Sequence, residues 1–226
     1  MSVETLLAAD LYHVDTWVFD LDNTLYPLDS GLAEQVSARI TEFVQRLTGL
    51  PADEARALQK RYLAEHGLTL RGLMTHHGVD PDDYHGFLGD ISLECLSHDP
   101  DLQQALRRLP GRRLIFTNAS AGHAARVLAR LHLSDLFDEV FHIASADFLP
   151  KPAREAFAAI ISAHAIDPAS AAFFDDAECN LEPAAAMGMT TVLVGPAAQS
   201  STALFVDYRA PRLAPFLAVA RLKANS

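Results

Sequence analysis

Four short apolar runs, spaced along the chain and separated by helical stretches, constrain this sequence more than any other feature. TWVFDL (16–21), RRLIFTN (112–118), AAFFDD (171–176) and TTVLVG (190–195) are almost continuously apolar until they end on polar residues. Continuous rather than alternating apolarity is the pattern of strands covered on both faces, as in a parallel sheet. DEVFHIA (138–144) is a weaker fifth candidate. Helical patterns such as SAGHAARVLARLHL from Ser120 and PAREAFAAIISAHA from Pro152 lie between the runs. Strands alternating with helices predict an α/β doubly wound core with a parallel, Rossmann-like sheet.

One stretch breaks the alternation. Residues 28–98 contain no convincing strand, only helical segments with clear boundaries. Ser30 can cap the first; Pro51 with Asp53 and Glu54 suits a first turn, and Gly67 and Gly78 suit helix ends. Asp80-Pro81-Asp82-Asp83 reads as another start, and Asp99-Pro100 marks the return to the core. So long a helical stretch exceeds a simple crossover. The sequence therefore predicts a catalytic core of residues 1–27 and 99–226 and a helical cap domain, 28–98, inserted into it.

Charge and composition narrow the partners. Eighteen Lys and Arg against 29 Asp and Glu give a net charge of −11 over 226 residues, which disfavours nonspecific binding to nucleic acid or anionic membranes. The start, MSVETLLAADLYHVD, has no Lys or Arg and does not read as a secretory signal, and no run is long and apolar enough to span a bilayer. Cys95 and Cys179 are too few for a disulfide framework or a zinc site. A cytoplasmic protein is expected, with a small molecule as ligand and no protein partner implied.

Ligands of open α/β sheets bind at the carboxyl ends of the strands, so the polar residues there carry the functional reading. The first run delivers Asp20 and Asp22, the second Thr117 and Asn118, and the third Asp175 and Asp176, with Asn180 just beyond. Lys151 lies in the FLPKPA loop. Singly, each has an ordinary structural explanation: a helix cap, a strand end, a lysine before proline. Together they mark a functional site. Residues two apart in an extended segment project to the same side, so Asp20 and Asp22 can face one ligand. Thr117 and Asn118 can donate hydrogen bonds to its oxygens, as can the N-terminus of the helix that follows.

These motifs resemble those of the haloacid dehalogenase superfamily of phosphohydrolases. DLDNT is similar to its DxDxT signature, IFTNAS to its second motif, LPKP to its third and FFDDAECN to its fourth, in the family's order. A response-regulator receiver also uses Asp, Thr and Lys around a metal, but there the acidic pair precedes the phosphoacceptor. The resemblance implies that Asp20 attacks phosphorus to form an aspartyl-phosphate, while Asp22 protonates the leaving oxygen and then activates water. It places Thr117 and Lys151 with them in catalysis, and Thr117, Asn118 and Lys151 around the phosphate. Its metal ligands are the Asp20 carboxylate, the Asp22 carbonyl and Asp176, with Asp175 direct or through water; Asn180 orients the acidic pair. Two unit charges 4 Å apart repel by roughly 4 kcal/mol at an effective dielectric near 20, so four carboxylates need Lys151 and a divalent cation to coexist. Oxygen-only donors favour Mg²⁺. Residual repulsion would keep Asp22 protonated. His123 and Cys179 read as neighbours of the motifs rather than catalysts.

Finer details point to a subfamily. LDNTLYP, the segment TLRGLMTHHGVDPDDYHGFL and FFDDAECNL resemble pyrimidine 5′-nucleotidases. A helical insert between the first and second motifs stands where the superfamily's C1 caps occur, closing over the site and reading the leaving group. The implied substrates are pyrimidine nucleoside 5′-monophosphates, with Tyr26, Arg71 and His76 as substrate-binding candidates among cap residues that also include His77 and Tyr84. A phosphatase or phosphomutase for another metabolite, such as a sugar phosphate, is the enzymatic alternative, and a noncatalytic binding protein on this fold is another. A haloacid dehalogenase lacks the second Asp, and a phosphonatase needs a Schiff-base lysine in the cap, where Lys60 is the one lysine.

Overall fold

The computed structural model describes residues 8–223; the first seven residues of the start MSVETLLAADLYHVD lie outside them. Its centre is a six-stranded, wholly parallel sheet in the order β3-β2-β1-β4-β5-β6. The strands are β1 (Thr16–Phe19), β2 (Arg112–Phe116), β3 (Glu139–Phe141), β4 (Ala171–Asp175), β5 (Thr190–Val194) and β6 (Tyr208–Ala210). The expected doubly wound α/β fold is therefore present. The weak fifth run forms β3. The sequence reading passed over β6, a three-residue edge strand whose YRA is too short and too polar to stand out.

Alternation within each strand divides the core into two layers. Trp17 and Phe19, Ile115 and Phe174 face one side, where α5 (Pro100–Arg107), α6 (Ala121–Arg130) and α9 (Leu213–Val219) cover them. Val18, Leu114, Phe116 and Phe173 face the other, under α7 (Arg154–Ala163) and α8 (Glu178–Ala186). Phe19 and Phe174 stack on neighbouring strands with centroids 4.5 Å apart. α7 starts at Arg154 rather than Pro152, because Lys151 and Pro152 form the turn leading into it.

Between β1 and α5 lie four helices: α1 (Leu32–Thr48), α2 (Ala52–His66), α3 (Thr69–His77) and α4 (Pro81–Leu88). They enclose an apolar cluster of their own, built on Val44, Leu58, Tyr62, Leu70, Leu73 and Tyr84. Glycine permits the tightest crossing: a Cβ at Gly72 would stand 2.4 Å from Cγ of Tyr62, so a side chain there would force α2 and α3 apart. The boundaries follow the sequence. α2, α3 and their successors end on left-handed Gly67 and Gly78 or start on Asp80, whose carboxylate accepts the Asp82 N–H. Leu32, Ile91, Leu93 and Leu96, at the two ends of this stretch, pack into the sheet's first cluster instead. No helix among the described residues is long and apolar enough to cross a membrane.

Candidate active site

The carboxyl ends of β1, β2 and β4 converge on a buried ammonium. Lys151, only 3% exposed, places Nζ 2.7 Å from Oδ1 of Asp20 and 2.7 Å from Oδ2 of Asp175. The backbone extends the sheet to this point, with the Asp20 N–H donating to the Phe174 carbonyl at 2.8 Å. Aromatic faces line the approach, since Nζ lies 5.1 and 5.3 Å from the ring centroids of Phe116 and Phe173. Burial alone would favour a neutral amine, but the charges of Asp175 and Asp20 and their hydrogen bonds outweigh it and hold Lys151 protonated.

Each carboxylate is fixed differently. Asp175 is saturated: besides Lys151 it accepts the Ala177 N–H at 2.9 Å and the Asn180 amide at 2.9 and 3.1 Å. Asn180 thus braces Asp175. Asp20 keeps Oδ2 nearly free, with one long contact of 3.3 Å from the Thr24 hydroxyl. Burial pushes its carboxyl well above the ordinary range; Lys151 opposes this, and the charges of Asp175 and Asp22 reinforce it. Asp176 is pushed up to about 6, first by burial and then by the charge of Asp175.

The site is thus short of positive charge. Asp20, Asp175 and Asp176 offer carboxylate oxygens within 4.8 Å of one another, while one ammonium faces them. All-oxygen donors so crowded fit a hard divalent cation, which would relieve the repulsion that raises Asp20 and Asp176.

Thr117 and Asn118 follow β2, as their strand-end position requires. The Thr117 hydroxyl accepts the Ala119 N–H at 3.0 Å. Asn118 does something the sequence did not suggest. Its Oδ1 accepts the Lys151 N–H at 2.8 Å and its Nδ2 donates to the Lys151 carbonyl at 3.2 Å, clamping the lysine's backbone.

Asp22 corrects another expectation. Its Oδ1 accepts the Tyr26 hydroxyl at 2.6 Å and lies 2.9 Å from His123 Nε2. Burial pulls its carboxyl upward, but the bond and charge of His123, the Tyr26 bond and the Lys151 charge prevail and hold it below its usual value. Asp22 is held ionised here, not protonated by its acidic neighbours. Burial and the charge of Asp22 push the Tyr26 phenol far up, so Tyr26 remains a donor. His123, read from sequence as a bystander, touches the second carboxylate directly. The available signal was its place: the first turn of a helix capped by Ser120, whose hydroxyl accepts the His123 N–H, just beyond a strand end. Cys179 is exposed and remains a neighbour.

A cavity of about 720 Å³ opens beside Asp22, between the strand-end loops and α1–α4. Asp22, Tyr26, Asn118 and His123 line its core side, and Val36, Ile40, Leu63, Leu68, Tyr84 and Leu88 much of the rest. Arg71 and His76 do not line it. His76 is exposed, stacked on Tyr62 with centroids 5.1 Å apart and paired with His66 at 3.2 Å. The helical phase of α3 gives its inner face to Leu70 and Leu73 and leaves these polar residues outside.

Residues 14–188 match the protein family described as haloacid dehalogenase-like hydrolases. Over 191 residues the chain is 31% identical to Phosphate metabolism protein 8 of Saccharomyces cerevisiae, a match covering 77% of this chain and 60% of that protein. The chain thus spans about 60% of the length of this relative. Among solved structures it is similar to a HAD phosphatase from Thermococcus onnurineus (TM-score 0.63, 19% identity, covering 92% of this chain and 100% of the other). It is also similar to the L-2-haloacid dehalogenase RSc1362 (TM-score 0.60, 20% identity, 91% and 97%). At such identities the structural likeness speaks for the fold, and the sequence match for the family: this chain belongs to the haloacid dehalogenase-like hydrolases.

Proposed function

We propose that this chain is a Mg²⁺-dependent phosphomonoesterase that works through an aspartyl-phosphate on Asp20 and prefers pyrimidine nucleoside 5′-monophosphates. The observation that carries the reading is the Lys151 ammonium shared between Asp20 and Asp175 at 2.7 Å each, with Asp22 two residues on at the cavity. Lys151 holds one oxygen of Asp20 and leaves the other to attack phosphorus. A bond forms between that oxygen and phosphorus while the bond to the leaving oxygen breaks, and Asp22 gives the leaving oxygen its proton. A phosphate dianion beside Asp22 adds negative charge and favours the protonated form this step needs. In the second step Asp22 takes a proton from water as the water oxygen attacks phosphorus, which frees phosphate and restores the Asp20 carboxylate.

Thr117, Lys151 and the N–H groups opening α6 hold the phosphate oxygens. Asn118 and His123 are positioning residues, the first for the Lys151 backbone and the second for the Asp22 carboxylate. Asp20, Asp176 and the Asp22 carbonyl would hold Mg²⁺, with Asp175 behind them because its oxygens already serve Lys151, Asn180 and Ala177. When bound, the ion supplies Lewis-acid charge that offsets the phosphate and the carboxylates. Helices α1–α4 act as the cap, and a cytoplasmic setting agrees with the chain's charge and its two free cysteines.

Asp22 favours phosphatase over dehalogenase chemistry, because displacing a halide requires no acid for the leaving atom. Phosphate release from UMP, CMP, AMP, GMP and glucose 6-phosphate, with Mg²⁺ and with EDTA, tests the reading beside chloride release from 2-chloropropionate. Mg²⁺-dependent phosphate release with a preference for UMP or CMP is expected. A preference for AMP or glucose 6-phosphate would move the substrate, and chloride release without phosphate release would overturn the phosphatase reading.

A further inference from the structure

Two buried side-chain atoms among the described residues lack any hydrogen-bond partner, Oδ1 of Asn23 and Nδ1 of His142. Both residues line the same cavity of about 720 Å³. A buried polar atom without a partner costs about 1–3 kcal/mol, so such atoms are rare away from ligand sites. Asn23 adjoins the acidic motif and is explained by it. His142 is not. It follows β3, one strand beyond β2, and the next residue's N–H donates to the Ala119 carbonyl at 3.1 Å. That bond sets His142 beside the loop carrying Thr117 and Asn118, without placing it among the groups already assigned.

From the inserted helices, His85 of α4 also lines the cavity and stacks on Phe148 with centroids 6.4 Å apart. Burial pushes His85 toward the neutral form; Asp82 opposes this and the charge of His142 adds to it. Burial does the same to His142. The remaining walls are mostly apolar, with Asp82 and Arg126 as further charged lining residues.

We infer that His142 and His85 form a second polar subsite, one ring from the core and one from the insert, that hydrogen-bonds an uncharged polar group on the body of the substrate. A neutral imidazole carries one donor and one acceptor, which suits a hydroxyl, carbonyl or ring amide. A second phosphate or a carboxylate would meet the Asp82 carboxylate, while Arg126, the lining cation, has its guanidinium committed to the Gly89 and Ile91 carbonyls. The subsite therefore selects monophosphates with a neutral, hydrogen-bonding body against bisphosphates and nucleoside diphosphates. The inference rests on the phosphomonoesterase reading.

The test compares wild type with His142→Phe, His142→Asn and His85→Phe on two substrates under Mg²⁺. One is whichever of UMP, AMP and glucose 6-phosphate wild type hydrolyses fastest, and the other is phenyl phosphate, whose body has no hydrogen-bonding group. Thermal melts check that each variant is folded. The ratio of kcat/KM between polar substrate and phenyl phosphate is expected to fall about tenfold to a hundredfold in both Phe variants, chiefly through KM. His142→Asn, which keeps a donor and an acceptor, should recover part of that ratio. Equal losses on both substrates, an unchanged ratio, or a wild-type preference for UDP or fructose 1,6-bisphosphate would overturn the subsite while leaving the phosphatase reading intact. Failure of wild type to release phosphate from any substrate, phenyl phosphate included, would remove the phosphatase reading and the subsite with it.

Discussion

The sheet and the inserted helices bury different things. Asp20, Lys151 and Asp175, the three buried charged residues among those described, all stand at the sheet's carboxyl edge, Asp175 as the last residue of β4 and the other two on loops. The insert buries Gln59 and Thr69, neutral groups with local partners: the Thr41 hydroxyl donates to Oε1 of Gln59, and the Thr69 hydroxyl donates to the Gln59 backbone carbonyl. Unpaired buried charge costs several kcal/mol per ion, so the sheet gives up stability to hold reactive groups in place, while the insert is an ordinary apolar cluster. Where a protein retains such a cost it has fixed its chemistry, and where burial is bland it shapes a wall. On the proposed function, the core sets the reaction and the insert sets what fits beside it.

Substitutions at the sheet edge and in the insert should therefore fail in different ways. The largest effect is expected from Asp20→Asn, which keeps shape but removes the attacking anion: steady-state kcat should drop by about 10⁴-fold or more, with the protein still folded because Lys151 keeps Asp175 as its charged partner. An Asp20→Asn enzyme within tenfold of wild type would mean that another group attacks.

Next comes Lys151→Ala, which leaves Asp20 and Asp175 facing each other without an ammonium. Breaking a buried pair costs about 3–5 kcal/mol, so urea melts should show the sheet destabilised by that order. Phosphate release should fall about 10²–10³-fold. Hydrogen exchange in α1–α4 should change less than in β1 and β4, and equal loosening of both regions would erase the contrast between them.

His123→Gln should cost about tenfold to a hundredfold in kcat, the worth of a hydrogen bond to a charged group, with little change in KM. A pure KM effect would make His123 a substrate contact instead. The smallest effects belong to Arg71→Ala and His76→Ala, whose side chains stand outside the cavity. Changes within about twofold are expected for UMP and for phenyl phosphate. A tenfold loss on UMP alone would show that α3 turns inward when substrate binds.

The contrast between the two regions also explains what the sequence disclosed. β1, β2, β4 and β5 were legible because strands covered on both faces leave nothing but apolar residues before the strand end, and the charge that follows then stands out. Asp20 and Asp175 stand out for that reason, whereas Lys151, in the FLPKPA loop, gains meaning only beside them. β6 was not legible, since an edge strand of three residues carries no such run. His123 was missed because its partner Asp22 is 101 positions away and only the fold joins them. Arg71 and His76 were chosen as polar residues on a helix, yet periodicity cannot say which helix face meets a cavity roofed by another part of the chain. That His85 and His142 line one cavity had no sequence signal, because each looks like an ordinary histidine alone.

The central claim is that the oxygen of Asp20 left free by Lys151 takes up phosphorus. Acid quenching of the enzyme within milliseconds of mixing with a ³²P-labelled monophosphate and Mg²⁺, followed by peptide mapping, reads that bond directly. The account predicts an acid-stable, hydroxylamine-labile label on the peptide containing DLDNT, located at Asp20 and absent from Asp20→Asn. A label on Asp22 or on a histidine, or turnover with no label at any time point, would contradict it.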